Sequence, residues 1–501
     1  VTGEERIMST VLGTSPTIKM PDTRLLIDGK FVESASGKTF ETFNPATEET
    51  IAMVSFASKP DADRAVAAAR AALDGPWSKI SAAERARILM RLAGLMRANA
   101  DGVAELEALD GGKPVTSIKR AELPAAIDCL EYYAGWCDKI KGDVVPISPS
   151  ALNYILREPV GVVVAIVPWN FPLMNTMWKV APALACGCTM VLKPAELTPL
   201  TALRLGELAL EAGVPPGVLN ILPGRGTDVG TALVDRGDID KIAFTGSPEV
   251  GKTIMQTAGK YIVRVGLELG GKSPNVVFAD SDLEAAIKAA ASGVFYNAGQ
   301  VCSAGTRIVV EESIYDEFVA GLKERAKSLR MGDPLDPKTT LGPVISARQL
   351  DRVSGYIEVG QKEGAHLESG GNRPDGRGHY IEPTIFTGVR NDMRIAQEEI
   401  FGPVASVIKF KTEDEAVAIA NGTAYSLAAA VWSNDVTKVL SVAHRLKGGT
   451  VWVNTYGHTD TRLPWGGAGG ESGISRDLGE AALENYTERK AIWVNLRRPA
   501  K

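Results

Sequence analysis

Val162-Val-Val-Ala-Ile-Val167 runs straight into Pro168-Trp-Asn-Phe-Pro172. An unbroken apolar run of this length, rich in valine and stopped by proline, reads as a strand buried on both faces. Short β-branched runs recur downstream at Thr189-Met-Val-Leu192, Val218-Leu-Asn-Ile-Leu222, Lys241-Ile-Ala-Phe244 and Tyr261-Ile-Val-Arg-Val265, with helical segments between them. Apolar strands alternating with helices specify a parallel sheet covered on both faces, so the expected fold class is α/β of a nucleotide-binding type. Ligands of such sheets bind beyond the carboxyl ends of the strands, where the polar and glycine-rich segments of this region fall.

Outward from this centre, the N-terminal side is read as helical support. Leu25 to Val32 turns at Asp28-Gly29 like a small hairpin, and Pro60 to Leu73 is an alanine-rich amphipathic stretch. Ser81-Ala-Ala-Glu84 is read as a capping box, each side chain bonding the other's backbone N–H, that opens a helical pattern running to about Leu109 and ending at Gly111-Gly112. On the C-terminal side a second α/β alternation begins at Pro274-Asn-Val-Val-Phe278 and continues through Leu283–Tyr296, Ile308–Val310, Ile314–Leu329, Val404–Phe410 and Ala428–Trp432. Cys302, in Gln300-Val-Cys-Ser-Ala-Gly-Thr-Arg307, opens this second half. Glu268, in Leu267-Glu-Leu-Gly-Gly-Lys-Ser-Pro274, closes the first. The two are expected to meet in a cleft between domains as a thiol nucleophile and a carboxylate base, a pair suited to forming a thioester and hydrolysing it.

Composition narrows the function. The 501 residues suggest two to three domains at about 150 residues each. The 55 Lys+Arg against 60 Asp+Glu leave a net charge of -5 with no long basic stripe, which argues against nucleic acid as a partner. Cys129, Cys137, Cys186, Cys188 and Cys302 are few and unevenly spaced, as expected of reduced thiols in a cytosolic-type compartment. The four histidines form no zinc-like spacing, so no metal is expected. Val1-Thr-Gly-Glu-Glu-Arg6 is read as neither a secretory signal nor a transit peptide, with Met8 a candidate start. Pro159 to Trp178 carries no charge, yet Pro168, Asn170, Pro172 and Asn175 interrupt it, and no membrane span is expected.

Each remaining segment has a functional and a bland reading. Thr245-Gly-Ser-Pro-Glu-Val-Gly251 follows a strand and opens a helix, so Gly246 and Ser247 either cradle a pyrophosphate or merely cap the helix. Gly224-Arg-Gly-Thr-Asp-Val-Gly230, with Gly226, is a secondary loop on the adenine side. Lys193 and Glu196 reach ribose hydroxyls or form an ordinary strand-end ion pair. Asn170 is a helix cap, or donates to an oxyanion near Cys302, worth about 3 kcal/mol. Glu268 is a base or a structural acid paired with Lys272, and Cys302 a nucleophile or a core thiol.

The ordered set Phe43-Asn-Pro-Ala46, Pro168-Trp-Asn-Phe-Pro172, Lys193-Pro-Ala-Glu196, Phe244-Thr-Gly-Ser247, Leu267–Pro274, Gly299-Gln-Val-Cys302, Glu398-Glu-Ile-Phe-Gly-Pro403 and Pro464-Trp-Gly-Gly467 resembles the NAD(P)-dependent aldehyde dehydrogenase superfamily, of the non-acylating kind, from about Leu25 to Val494. The resemblance implies a Rossmann-like NAD-binding domain (21–140, 160–270 and 471–486), an α/β catalytic domain (271–470) and a small β oligomerisation arm (141–159 and 487–501), after a tail over 1–20. It implies Cys302 as nucleophile, Asn170 and the Cys302 N–H as oxyanion hole, and Glu268 as base for the hydrolytic water. NAD would be held by Trp169, Lys193, Glu196, Gly226, Gly246, Ser247, Leu269, Glu399 and Phe401, with Glu196 favouring NAD over NADP. A homodimer or homotetramer is expected.

One departure stands out. Where the family commonly reads Pro-Phe-Gly-Gly-Tyr-Lys followed by Ser-Gly and Gly-Arg-Glu, this chain has Pro464-Trp-Gly-Gly-Ala-Gly-Gly-Glu-Ser-Gly-Ile-Ser-Arg-Asp477, one residue longer. Asp477 replaces a glutamate that joins a proton relay with the lysine at Lys179, which puts that relay and the substrate mouth in doubt. Phe171, Met174, Trp178, Tyr296, Val301, Ser303, Thr459 and Trp465 match tunnel positions. The wall reads either as a sleeve for hydrophobic or aromatic aldehydes or as a cage for a cation such as betaine aldehyde or an omega-aminoaldehyde; a semialdehyde-specific member is a further alternative. Asp460 and Arg462 could favour a cationic or a carboxylate tail.

Overall fold

The structure is a computed structural model and describes residues 18–497. Most of the expected tail over 1–20, with Met8, and positions 498–501 of the expected arm lie outside the described residues.

The Val162–Ile166 strand is an interior strand, third in order, of a seven-stranded sheet. Its order is Arg264–Glu268, Lys241–Thr245, Val162–Ile166, Thr189–Lys193, Leu219–Ile221, Leu25–Ile27 and Lys30–Val32. The first five are parallel, and the hairpin Leu25–Ile27/Lys30–Val32 closes one edge antiparallel. Every residue of Val162–Ile166 is buried, because both faces are covered. Val163 and Ala165 face a core with Leu89, Leu92, Tyr133 and Met177. Val162, Val164 and Ile166 face the opposite one with Val66, Val191 and Phe244, the period of two that a strand imposes. At about 1.5–3 kcal/mol for each large side chain buried, these two layers carry the sheet. Chain order reverses between Val162–Ile166 and Lys241–Thr245, so the connections after them diverge and leave a crevice at their carboxyl ends.

Glu268 ends the edge strand of this sheet, and six residues later Pro274–Val277 starts a strand in the second. The second sheet runs His366–Ser369, Thr384–Thr387, Val404–Phe410, Arg307–Glu311, Pro274–Val277, Ala428–Trp432 and Thr450–Val453. All neighbours are parallel except the first pair. Ile308 and Val310 pack on one face with Phe318 and Leu322, and Val309 packs on the other with Phe410 and Val442. Asp143–Val144, Ala151–Pro159 and Thr487–Asn495 form a three-stranded antiparallel sheet, in register from Thr487↔Pro159 to Asn495↔Ala151. The molecule is thus α/β, with a Rossmann-like sheet, a second α/β sheet and a small β unit.

Three local readings need correction. The strand expected over Tyr261–Val265 begins at Arg264 instead, because Ile262 is left-handed (φ 58°) and turns the chain after the helix Pro248–Gly259. The helical pattern expected to run on to Leu109 is two helices, Ala82–Ala98 and Ala100–Gly111. Asn99 (φ -104°, ψ 15°) breaks it by donating its side-chain amide back to Leu95 O at 2.8 Å. Ser81 caps the first helix by accepting from the Glu84 N–H at 3.2 Å, but the Glu84 carboxylate pairs with Arg87 and Arg91 on the helix surface.

Candidate active site

Glu268 is buried where the two sheets meet, 3 % exposed, and neither carboxylate oxygen has a well-formed hydrogen bond, the Gly467 N–H only approaching it. The bland alternative of a pair with Lys272 does not form: the Lys272 ammonium, equally buried, is itself without a partner. Burial pushes the Glu268 carboxyl well above the ordinary range, with the Asp477 charge adding to it and Lys179 opposing it. The loop after Glu268 packs on the Cys302 backbone, so closely that a Cβ on Gly271 would lie 2.2 Å from Cys302 O. Burial, followed by the charges of Glu399 and Glu268, pushes the Cys302 thiol up to about 12. Desolvation also raises Cys129, Cys137, Cys186 and Cys188, but these four lie in the core, whereas Cys302 is half-buried in the cleft.

Asn170 is not a helix cap. The helix Pro172–Ala185 takes Phe171 as its N-cap, and the Asn170 amide instead crosses to the Cys302 loop and donates to Gln300 O at 2.9 Å. Lys179, on that helix, meets Asp477 with Nζ 2.5 Å from Oδ2, both side chains at most 4 % exposed. The aspartate therefore reaches the lysine despite its length. Backbone bonds between Trp465 and Asp477, at 2.6 and 2.7 Å in the two directions, draw the 465–477 segment inward. Gly466 lies against Glu268, where an added Cβ would sit 2.4 Å from Oε1.

On the Rossmann-like side, Ser247 caps the helix Pro248–Gly259 by accepting from Val250 N–H, and Gly246 precedes it at the strand end. The Lys193 ammonium is 2 % exposed and donates to Pro194 O at 2.8 Å, with Glu196 at 3.7 Å. Burial lowers its affinity for the proton. Glu399 accepts from the Gly271 N–H at 3.1 Å, and burial raises its carboxyl to about 7. Phe401 is left-handed (φ 62°) and meets the Trp169 ring edge-on at 5.2 Å. Leu269 is buried against Gly251, while Gly226 starts an exposed turn.

The aromatic positions form two groups. Phe171 lies parallel to Tyr296, with centroids 6.3 Å apart. Trp178 leans on Trp465 at 6.0 Å, and Trp465 on Trp452 at 6.3 Å. Tyr456 continues the series and donates to Ser303 O at 2.7 Å. Met174 and Val301 are half-buried, and Thr459 is exposed and joins neither group. Asp460 and Arg462 pair at 2.5 Å, holding the Asp460 carboxyl down at about 2.

Sequence reading missed several neighbours. Lys113, from Gly111-Gly-Lys-Pro114, is buried between Glu107 and Glu122, 4.4 Å from the Phe171 ring, and Tyr296 donates to Glu122 at 2.7 Å. Burial pushes Glu107 up to about 7. Asn297 and Gln300 bind the segments of Asn170 and Cys302 together. Their only signal was adjacency to the cysteine, since these contacts span more than 100 residues of chain.

Among the described residues no helix is long and apolar enough to cross a membrane, and no group of three or more His, Cys, Asp or Glu is placed to hold a metal ion. The pattern of the Aldehyde dehydrogenase family matches residues 31–492. The chain is 51 % identical over 475 residues to an aldehyde dehydrogenase of Alternaria alternata, covering 95 % of each. It superimposes with a TM-score of 0.94 on the NAD+ complex of an aldehyde dehydrogenase from Bacillus cereus, at 45 % identity and 99 % coverage of both chains. It superimposes equally well, at 45 % identity and 98 % and 99 % coverage, on the indole-3-acetaldehyde dehydrogenase of P. syringae solved with NAD+ and IAA. A buried acid and a thiol between a Rossmann-like and a second α/β sheet, with likeness over nearly the whole length, make this chain a member of the aldehyde dehydrogenase family, an enzyme that oxidises aldehydes with a nicotinamide cofactor.

Proposed function

We propose that the enzyme oxidises a hydrophobic or aromatic aldehyde to its carboxylic acid with NAD, through a thioester on Cys302 that water hydrolyses. The supporting observation is Glu268, a buried carboxyl without a well-formed hydrogen bond next to the thiol. An acid so placed serves no structural pair and is free to take a proton from water. The Cys302 sulfur adds to the aldehyde carbon, and the oxyanion formed is met by the Asn170 amide and the Cys302 N–H. NAD, when bound, supplies the acceptor for the two electrons that leave the adduct as it becomes the thioester. Glu268 then deprotonates the water that releases the acid, and Lys179 with Asp477 provides a buried route by which that proton leaves.

The residues present fit the cofactor. A buried Lys193 ammonium with one close carbonyl acceptor has donors left for ribose hydroxyls, with Glu196 beside it to accept from them and repel a 2′-phosphate. The helix at Ser247 offers N–H groups to a pyrophosphate, with Gly226, Gly246 and Leu269 around it. Glu399 suits the second ribose, and Trp169 and Phe401 wall the nicotinamide end. Residues 21–140, 160–270 and 471–486 are taken as the NAD-binding unit, 271–470 as the catalytic unit, and 141–159 with 487–501 as the arm of a homodimer or homotetramer. The reduced cysteines favour a cytoplasmic setting.

For the substrate, the sleeve reading is favoured over a cation cage. Phe171 already faces the Lys113 ammonium at 4.4 Å, and Asp460 is neutralised by Arg462. NADH formation without coenzyme A, compared for benzaldehyde and betaine aldehyde, tests this. The proposal expects the aromatic aldehyde to be preferred; preference for the cation would reverse the substrate assignment, and retained turnover in Cys302→Ala would overturn the mechanism.

A further inference from the structure

We infer that Asn297 is a positioning residue for the oxyanion donor Asn170, clamping the donor's segment to the nucleophile's loop. The inference rests on the reading of Asn170 proposed above. An asparagine amide has two N–H bonds, and its terminal torsion is broad, so where the second N–H points depends on what holds the first and on what holds the backbone. Asn170 Nδ2 spends one N–H on Gln300 O at 2.9 Å. The amino group of Asn297 binds Asn170 O at 3.0 Å and the same Gln300 O at 3.3 Å. One NH2 group thus bridges the backbone of the donor and the carbonyl to which the donor itself is tied. Both acceptors are carbonyl oxygens, which fixes the orientation of the Asn297 amide. Gln300 closes the figure by donating to Asn297 O at 3.0 Å and accepting from Ile345 N–H at 2.9 Å. Asn170, Asn297 and Gln300 are 5 %, 8 % and 1 % exposed, so water does not compete for these bonds.

The backbone is bent to bring this amide into place. Asn297, Ala298 and Gly299 are left-handed in succession, with φ of 50°, 51° and 73°. Gly299 admits no side chain, since a Cβ would lie 2.0 Å from Gly402 O. Alanine pays a steric penalty in this conformation, which persists only where the surroundings impose it. The bend ends three residues before Cys302, so the strained turn and the clamp align the same two reacting partners.

The test is a double-mutant cycle on the full-length enzyme with saturating NAD and benzaldehyde. Asn297→Gly keeps the left-handed backbone and removes the amide; Asn297→Asp keeps the shape but even protonated has a single O–H and cannot bridge both carbonyls, and serves if glycine loosens the loop. Each is expected to lower kcat roughly 10- to 100-fold, the scale of a small misplacement in a reacting pair, while KM for NAD stays unchanged. Asn170→Ala is expected to lower kcat by about 10²–10³. In the Asn170→Ala background, Asn297→Gly should cost nothing more, because its effect passes through the missing donor. Multiplicative losses, or full kcat in the Asn297 variants, would overturn the inference while leaving Asn170 in its role. Full kcat in Asn170→Ala would sink the oxyanion reading and the inference with it.

Discussion

Burial disfavours the ionised form of both Cys302 and Glu268, the forms in which the proposed mechanism uses them. A thiol raised to about 12 gains thiolate with every rise in pH below that value, so kcat/KM is expected to climb steadily through the neutral and mildly alkaline range. The rate of NADH formation at limiting aldehyde, followed against pH, checks this; a profile flat from pH about 6 upward would contradict it. Glu399 is the largest charge holding the thiol up after burial, so Glu399→Gln should move the rise to lower pH even as cofactor binding weakens. Glu268→Gln separates the two halves of the reaction. It should release about one equivalent of NADH per site and then stall, its steady-state rate lower by about 10²–10⁴, the usual worth of a general base. Rapid-mixing fluorescence distinguishes a stalled burst from a uniform slowing. Tyr296→Phe keeps the ring beside Phe171 and cuts only its bond to Glu122, so KM for benzaldehyde should rise with kcat little changed, as steady-state kinetics on that variant would report.

Among the elements, the 465–477 segment governs the site more than its lack of regular structure suggests. Gly466 is at φ 147°, and a Cβ there would meet both Glu268 Oε1 and Ser475 O at 2.4 Å. Gly466→Ala is expected to lower kcat at least about tenfold by displacing the base, with the circular dichroism spectrum and NAD affinity kept. Loss of the fold instead would assign that glycine to stability. This segment also marks how far the sequence could be read. The central strands were legible because a strand covered on both faces must be apolar throughout, as Val162–Ile166 is. Cys302 and Glu268 could be singled out because each stands in a distinctive local run, and the structure brings them into one cleft. The cap alternative for Asn170 stayed open in the sequence because capping is local, whereas its partner Gln300 is 130 residues away. The reach of Asp477 to Lys179 was unreadable for the same reason: two backbone bonds to Trp465, not side-chain length, set it. The late start of the Arg264–Glu268 strand hung on one left-handed residue, Ile262, a type that normally favours the extended conformation.

At the scale of the whole molecule, the three-stranded sheet leaves a large apolar surface in solvent. Trp493 is 68 % exposed, Val144 69 % and Ile147 57 %, more than an isolated chain would be expected to leave open. Trp493→Glu is expected to shift the assembly to smaller species in light scattering at micromolar concentration, with thermal stability falling alongside; an unchanged mass would remove this face from the interface. The register of that sheet also sets an order of events. Thr487–Asn495 pairs with Ala151–Pro159, made more than 300 residues earlier, and Gly466 and Asp477 come to lie against Glu268 and Lys179, also made long before them. A chain growing from the ribosome therefore carries its thiol long before it carries the glycine that seats Glu268 or the aspartate that grips Lys179. Turnover of an aldehyde is therefore expected only from chains whose synthesis has passed these residues.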